Sequence, residues 1–286
     1  RQAPPAQEPP PQQPGRRDLR RAVVIGTALA AVALAVFKAG PGPALVLVTG
    51  VVILAAAEAY DVLRRAGYRP ATLLGLIATV SLMFATYSDG VSAIPLVMAL
   101  TAVFSFLWYL FGVVRARPTV NVAVTLFVFM WVGLLGSFGA LLLAIPDREG
   151  IAFLLGAVVA TVAHDIGGLF FGSQMGSRPL APDISPNKTM EGLIGGMLSA
   201  VFASVLFVGV LPGVHPWTAG TALALGIMVA VVAPLGDLCE SMLKRDLGVK
   251  DMGSILPGHG GVLDRFDALL FVLPATYYLV QVLDLA

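Results

Sequence analysis

Nine apolar runs in this chain of 286 residues are separated by short polar connectors. Each run is close to the length of about 20 residues that a helix needs to cross the hydrocarbon core of a bilayer. Apolar residues make up 57% of the chain and charged residues 12%, whereas soluble domains carry about 25% charged residues. The sequence therefore predicts an all-α, polytopic integral membrane protein. The predicted spans are 22–39, 43–61, 70–87, 92–114, 119–145, 150–171, 190–211, 217–236 and 263–283.

The distribution of positive charge predicts how these spans are oriented. If the N-terminus is cytoplasmic, all but two of the 18 Lys and Arg residues fall in inner segments, the exceptions being Lys38 and Arg148. Positive residues concentrate on the cytoplasmic side of membrane proteins. We therefore expect a protein of the inner (cytoplasmic) membrane with the N-terminus inside and the C-terminus outside.

The composition also divides the chain into a predicted disordered tail and a predicted transmembrane domain. Residues 1–21 are rich in proline and have no apolar periodicity, which predicts a disordered cytoplasmic tail. Residues 22–286 are expected to form a transmembrane catalytic domain. Its C-terminal part, 150–286, contains the polar motifs, on loops predicted to face the cytoplasm.

The most polar of these motifs, Ser241–Asp267, lies between the last two apolar runs. Ionisable residues at a membrane are costly and commonly mark a functional site. On a helix, Asp237 would share a face with Lys244, and Asp264 would share one with Asp267. Carboxylates from two helix ends, without cysteine or paired histidine, favour a hard cation such as Mg²⁺.

Basic residues beside such a cation favour phosphate chemistry, because metal and cations together stabilise the charge that develops during phosphoryl or nucleotidyl transfer. A glycine-rich turn, 258–261, precedes the last span and could present backbone N–H groups to an anion. The alternative is that these Lys and Arg residues only set topology or contact lipid headgroups. Glu58, inside the second span, is expected to reach the surface or to pair with a nearby arginine.

Two stretches carry a resemblance to a known family. The first is Ser241-x-Leu243-Lys244-Arg245-x4-Lys250-Asp251-x-Gly253-x2-Leu256-Pro257-x-His259-Gly260-Gly261-x2-Asp264-Arg265-Phe266-Asp267, and the second is Ser185-Pro186-x-Lys188-Thr189-x-Glu191-Gly192. They resemble the motifs of the phosphatidate cytidylyltransferases (CDP-diacylglycerol synthases). One difference is local: the family commonly shows Asp-x-Gly-Ala-Tyr where this chain has Asp165-Ile166-Gly167-Gly168-Leu169.

The resemblance implies that CTP and phosphatidate react to give CDP-diacylglycerol and pyrophosphate at a two-cation centre with Mg²⁺ and a second cation such as K⁺. It implies membrane lipids as partners and no nucleic acid. The expected catalytic residues are Asp237, Lys244, Arg245, Asp264 and Arg265. The expected metal ligands are Asp237, Asp264 and Asp267. The expected substrate-binding residues are Ser185, Lys188, Thr189, Ser241, Lys250, His259, Gly260 and Gly261.

Other functions compete with this interpretation. A related CTP-dependent lipid kinase or an ether-lipid cytidylyltransferase would use similar chemistry, but a kinase would release CDP instead of pyrophosphate. An ion-coupled transporter would place its carboxylates near the bilayer midplane, whereas here they cluster at predicted cytoplasmic helix ends. The spacings Gly168-x3-Gly172 and Gly192-x3-Gly196 allow close helix packing and are compatible with a homodimer.

Overall fold

The computed structural model describes residues 16–112, 117–146, 149–210, 215–253 and 260–285. This part of the chain forms ten α-helices and one two-stranded antiparallel hairpin. The helices are α1 (Arg16–Ala39), α2 (Pro41–Arg65), α3 (Thr72–Asp89), α4 (Ala93–Phe111), α5 (Pro118–Val128), α6 (Leu135–Leu143), α7 (Glu149–Met175), α8 (Met190–Ala203), α9 (Ala219–Asp246) and α10 (Leu263–Val282). The strands are β1 (Pro179–Ala181) and β2 (Ser185–Thr189).

Six segments of the described residues are long and apolar enough to cross a membrane. They are Pro41–Arg65, Thr72–Phe111, Pro118–Leu143, Glu149–Met175, Met190–Val210 and Ala219–Asp246. The prediction of an all-α, polytopic membrane protein is confirmed at this level. The count of nine spans and the orientation of the termini stay predictions.

The segment Thr72–Phe111 contains two helices. A 3₁₀ turn at Gly90–Ser92 separates α3 from α4, and Gly90 has a positive φ of 69°, which glycine adopts without steric cost. Helices α3 and α4 pack against each other, so the chain reverses direction at this turn. A straight helix of 40 residues would be about 60 Å long, which is twice the thickness of the hydrocarbon core.

Burial differs strongly between the segments. Pro118–Leu143 is the most buried of the six and Thr72–Phe111 the most exposed. The main core cluster draws side chains from α2, α6, α7, α9 and α10, including the fully buried Tyr60, Phe153 and Leu225. Large apolar side chains on α4 such as Phe106 and Leu110 face outward, as expected of a surface that contacts lipid. A π-helical segment, Phe129–Leu134, connects α5 to α6.

The glycine spacings in α7 and α8 allow two helices of the same chain to pack against each other. A Cβ atom on Gly192 would lie 2.9 Å from the carbonyl oxygen of Gly168 and 3.1 Å from the Cα atom of Gly172. One on Gly196 would lie 2.8 Å from the carbonyl oxygen of His164. These glycines therefore allow α7 and α8 to approach closely, and their spacing gives no support to the expected homodimer, which stays a prediction.

Proline interrupts two helices near the polar motifs. Pro234 lies inside α9, three residues before Asp237, and Pro274 lies inside α10, seven residues after Asp267. Proline has no N–H group and cannot donate to the carbonyl four residues earlier. Both helices continue beyond their proline, so each one keeps its charged end attached to its apolar segment.

Two boundaries and one element differ from the sequence predictions. Helix α1 begins at Arg16, so the predicted tail of 1–21 overlaps it, and residues 1–15 lie outside the described part. The predicted span 217–236 continues as α9 to Asp246, because Asp237–Asp246 contains good helix formers and no proline or glycine. The all-α prediction omitted the β1–β2 hairpin, where prolines at 179, 182 and 186 disfavour helix.

Candidate active site

The charged helix ends surround a cavity of about 650 Å³, within the range of about 300–1,000 Å³ that is typical of small-molecule sites. We call it the charged cavity. It lies between the C-terminal part of α7, the hairpin, the start of α8, the charged end of α9 and the start of α10. Its walls comprise His164, Asp165, Ile166, Gly168, Leu169, Gly172, Ser173, Leu180, Asn187, Lys188, Thr189, Gly192, Leu193, Pro234, Asp237, Leu238, Asp264, Arg265 and Asp267. Charged and apolar surfaces thus meet in one cavity.

Asp264 is held by the loop that precedes its own helix. Oδ1 accepts from Nζ of Lys244 at 2.8 Å, Oδ2 accepts from the backbone N–H of Gly261 at 2.8 Å, and the N–H of Met252 lies 3.0 Å from both oxygens. A carboxylate offers about four acceptor positions, and these contacts occupy them. Asp264 therefore fixes the fold of the loop, in addition to lining the cavity.

Lys244 is a half-buried partner of two carboxylates. It pairs with Glu240 one turn earlier on α9 and with Asp264 on α10, and Glu240 is fully buried. Removing one partner of a buried ion pair leaves an uncompensated charge, which is strongly destabilising. Lys244 is expected to be a catalytic residue; in the structure it pairs with Glu240 and Asp264, and its catalytic role stays a prediction. The sequence analysis missed Glu240, although its spacing of four residues from Lys244 is a recognisable signal.

Asp237 and Asp267 lie on the cavity wall contributed by α9 and α10. Asp237 forms an ion pair with Lys188 of strand β2, so the second motif meets α9 just before the signature begins. Asp267 is 8% exposed and lies near Asp237 and Glu240, which contribute like charge around it. Burying carboxylates beside one another is unfavourable unless positive charge is close, so this wall is suited to a cation.

The hairpin that carries Lys188 is anchored at both ends. Glu191 accepts hydrogen bonds from the backbone N–H and the hydroxyl of Ser177, at 3.1 and 2.6 Å. The Thr189 hydroxyl accepts from the N–H of Gly192 at 3.1 Å and caps α8. At the far end, Nε of Arg245 donates to the carbonyl of Ile184 at 3.0 Å. Arg245, predicted as a phosphate clamp, thus supports the hairpin through one of its nitrogens.

Glu58 lies at a different place from the one that the sequence predicts. It was expected to reach the surface or to pair with an arginine, but its side chain is 4% exposed. Its Oε2 accepts from the backbone N–H of Leu263, the first residue of α10, at 2.9 Å. An acidic residue within an apolar span is by itself a signal of function, and that signal was available in the sequence.

The remaining predicted residues differ in whether they line the charged cavity. Thr189 and Arg265 line the charged cavity. Ser185, Ser241, Lys250, Gly260 and Gly261 are outside its described lining, and Lys250 is exposed. Gly261 was predicted to offer its N–H to an anion, but that N–H donates to Asp264. His259 lies outside the described residues.

The oxygen donors of the charged cavity are of the kind that a magnesium ion uses. The described walls of the cavity contain four aspartates, Asp165, Asp237, Asp264 and Asp267, and two basic residues, Lys188 and Arg265. Oxygen donors in excess of positive charge suit a hard cation. Among the described residues no three acidic, histidine or cysteine side chains form a ready-made metal cluster. Magnesium usually takes one or two carboxylates together with substrate phosphates, so it does not require a preformed cluster of three side chains.

Fold and site together define a polytopic helical membrane protein with a charged cavity at the ends of its last helices. Residues 20–283 match the profile of the cytidylyltransferase family, and the chain belongs to that family. It is 34% identical over 266 residues to the phosphatidate cytidylyltransferase of Mycobacterium tuberculosis H37Rv, covering 89% of this chain and 80% of that protein.

Two further relatives extend the comparison. The phosphatidate cytidylyltransferase of Bacillus subtilis 168 is 33% identical over 273 residues, covering 92% of this chain and 98% of that protein. The uncharacterized protein YnbB of Escherichia coli K12 is 38% identical over 148 residues, covering 51% of this chain and 49% of that protein. The resemblance predicted from the two motifs is confirmed over most of the chain.

Proposed function

We propose that this chain is a phosphatidate cytidylyltransferase, which transfers the cytidylyl group of CTP to phosphatidate and releases pyrophosphate. The observation that carries the proposal is family membership across residues 20–283, together with a cavity that joins charged and apolar walls. In this reaction the lipid phosphate attacks the α-phosphorus of CTP, so the protein needs no nucleophile of its own. Its task is to position two anions and to stabilise the charge on the leaving pyrophosphate.

The walls of the charged cavity offer different side chains to the substrate phosphates and to the lipid chains. Lys188 and Arg265 are the basic residues that line it, and we propose that they contact substrate phosphates. Lys188 lies in an ion pair with Asp237, so an incoming phosphate competes with that carboxylate for the ammonium group. Apolar side chains on the other wall, Ile166, Leu169 and Leu193, suit the lipid, and Leu169 is largely exposed on the outer surface of α7.

We propose Mg²⁺ as the cofactor, held by Asp237, Asp264 and Asp267, with a second cation such as K⁺. When bound, the metal supplies positive charge to the transferring phosphates. The four aspartates exceed the basic residues on the described walls, so an anionic substrate needs additional positive charge to bind there. Asp237 and Asp267 face the cavity directly, whereas Asp264 must release one of its present hydrogen bonds to coordinate a cation.

We further propose nine spans in the inner membrane, with the N-terminus inside, the C-terminus outside and the charged cavity open to the cytoplasm. The distribution of Lys and Arg supports this orientation. The substrates support it as well, because CTP cannot enter hydrocarbon without losing the hydration of its phosphates. Phosphatidate cannot leave the bilayer without exposing its acyl chains to water. The cavity must therefore open both to water and to the inner leaflet.

The deciding experiment uses the purified full chain in detergent with phosphatidate and CTP labelled at the α- or γ-phosphate. We expect label from α to appear in lipid and label from γ to appear in pyrophosphate, in a reaction that stops when magnesium is chelated. Transfer of the γ-phosphate to lipid, with release of CDP, would instead identify a lipid kinase. Turnover that is unchanged by chelation would reject the magnesium proposal alone.

Topology is tested separately with single cysteines in a Cys239→Ser background. A membrane-impermeant thiol reagent should label a cysteine at position 250 only from the cytoplasmic side. A cysteine at position 148, in a predicted outer connector, should be labelled only from the outside. The reverse labelling pattern would overturn the orientation without affecting the assignment of the reaction.

A further inference from the structure

Glu58 is remote in sequence from every residue of the two motifs, yet it contacts the signature directly. It lies seven residues before the end of α2, which places it about 10 Å inside that end at 1.5 Å per residue. Its side chain is buried, and its hydrogen-bond partner Leu263 is 205 positions away. The loop that holds Asp264 therefore reaches inward to meet α2.

Two glycines of the signature make room for this carboxylate. A Cβ atom on Gly261 would lie 2.5 Å from Oε2 of Glu58, and one on Gly253 would collide with Oε1 and Cδ. Any side chain at either position would displace Glu58 or the loop. Oε1 is buried and has no hydrogen-bond partner among the described residues, so the contact with Gly253 is one of close packing.

The neighbours of Glu58 are the donors that hold Asp264. Gly261 donates its N–H to Asp264, and Met252, directly before Gly253, donates its own. Glu58 also accepts from the first N–H group of α10, a group that has no partner inside the helix. A carboxylate at a helix N-terminus is further favoured by the helix dipole. One buried side chain thus contacts both sides of the loop and the start of the helix.

We infer that Glu58 is a positioning residue: it holds the backbone at Gly253 and Gly261 and the first turn of α10, and through them it sets the orientation of Asp264. Glu58 itself is not among the described residues that line the charged cavity. The inference rests on the proposed function only for the part that Asp264 plays in catalysis. The hydrogen bond to Leu263 needs an acceptor oxygen and does not need the negative charge.

The test compares Glu58→Leu, which removes the acceptor, with Glu58→Gln, which keeps an amide oxygen. Tyr60→Phe is the matched control, because Tyr60 is a buried residue of the same helix whose hydroxyl bonds to Thr125, away from the signature. Hydrogen–deuterium exchange is followed in peptides covering 249–253 and 260–266. We expect faster exchange in both peptides for Glu58→Leu and wild-type exchange for Glu58→Gln and Tyr60→Phe.

Kinetics supply the second measurement. A misplacement of about 1 Å can cost about 100-fold in rate, so we expect kcat of Glu58→Leu to fall by about 10- to 100-fold, with a higher magnesium concentration for half-maximal activity. Glu58→Gln should recover most of kcat. If Glu58→Leu matches wild type in exchange and in magnesium dependence, or if Glu58→Gln is as defective as Glu58→Leu, the inference is wrong.

Two further variants keep the test decisive if Glu58→Leu does not fold. Gly253→Ala places a methyl group against the carboxylate. It should reproduce the faster exchange in 260–266 although residue 58 is still glutamate. Glu58→Asp shortens the side chain, so adding it to Gly253→Ala should restore part of the protection, as expected for residues in contact. Simple additivity of the two changes would count against the inference. The exchange measurements decide the role of Glu58 even if wild type shows no cytidylyl transfer.

Discussion

Polar side chains serve different purposes in the two halves of the molecule. Between α2, α4 and α5 they bond to backbone: the Tyr60 hydroxyl donates to the carbonyl of Thr125 at 2.8 Å, and the Tyr109 hydroxyl donates to that of Arg69 at 2.6 Å. Between α9 and α10 they bond mainly to one another, as Lys244 does with Glu240 and Asp264. Neutral hydrogen bonds join helices in the first half, and charged networks surround a cavity in the second.

The difference shows how a membrane protein separates stability from chemistry. A hydroxyl bonded to a backbone carbonyl satisfies both groups and adds no charge to the low-dielectric interior. A cluster of carboxylates and ammonium groups is costly in the same environment, so its presence indicates a use that hydroxyls cannot serve. The comparison predicts that changes to the charged network around the cavity alter turnover, whereas changes to the bonds between tyrosine hydroxyls and backbone carbonyls alter stability alone.

The largest effect is expected from Asp237→Asn, which keeps the volume of the side chain but removes a charge from the cavity wall. We expect less than about a tenth of wild-type turnover, a loss of more than roughly 1.4 kcal/mol of transition-state stabilisation. Initial rates are measured at saturating CTP, with membrane insertion confirmed by the yield of monodisperse protein. Asp264→Asn should lose as much activity and also loosen the loop. If Asp237→Asn keeps more than about a tenth of wild-type turnover, Asp237 is not one of the proposed metal ligands.

Breaking the buried network should affect stability and turnover together. Lys244→Met leaves Glu240 and Asp264 without their cation, and breaking a buried pair costs about 3–5 kcal/mol. We expect a marked drop in the temperature at which the detergent-solubilised protein unfolds. Adding Glu240→Gln removes one of the unpaired charges and should recover part of that loss. If the double variant is less stable than Lys244→Met, the described pairing is not what stabilises the network.

A smaller effect is expected from Arg245→Lys, which keeps the charge but loses the planar guanidinium whose Nε donates to Ile184. Lysine cannot reproduce that fixed geometry. Since the hairpin carries Lys188, we expect KM for CTP to rise by about 3- to 10-fold, equivalent to about 1 kcal/mol, with little change in unfolding temperature. A fall of the same size in kcat, with KM unchanged, would instead indicate that Arg245 contacts the transferring phosphate directly.

The smallest effect on activity is expected in the first half. Tyr60→Phe removes the hydroxyl that donates to the carbonyl of Thr125. That carbonyl also accepts from the N–H of Phe129, so the change should reduce stability by only about 1 kcal/mol. Thermal unfolding in detergent measures the loss, and kcat and KM should stay at wild-type values. A change in KM with unchanged stability would show that the two halves are not separated in the way we describe.

Much of the fold was predictable because a bilayer imposes simple rules. Apolar length alone places most helices within a few residues, and the positions of Asp237, Lys244, Asp264 and Asp267 on two helix ends follow from sequence spacing. Local periodicity carries this information, since each of these features depends on residues close together in the chain.

The contacts of individual side chains could not be predicted in the same way. Nothing in the sequence near Lys244 shows that its ammonium group bonds to Asp264, 20 positions away, or that Arg245 reaches back to Ile184. Glu58 is the extreme case, because the helix that carries it and the loop that receives it are encoded at opposite ends of the chain. Such contacts are determined by tertiary packing, and the periodicity of the sequence carries no information about that packing.

The prolines inside α9 and α10 have a mechanical consequence. Without an N–H group at Pro234 or Pro274, the carbonyls of Ala230 and Leu270 lose their usual donor, and the bending stiffness of each helix is lowest at that point. Pro234 also lines the charged cavity. Bending between the charged part and the remaining part of each helix therefore meets less resistance at these two points than elsewhere along α9 and α10.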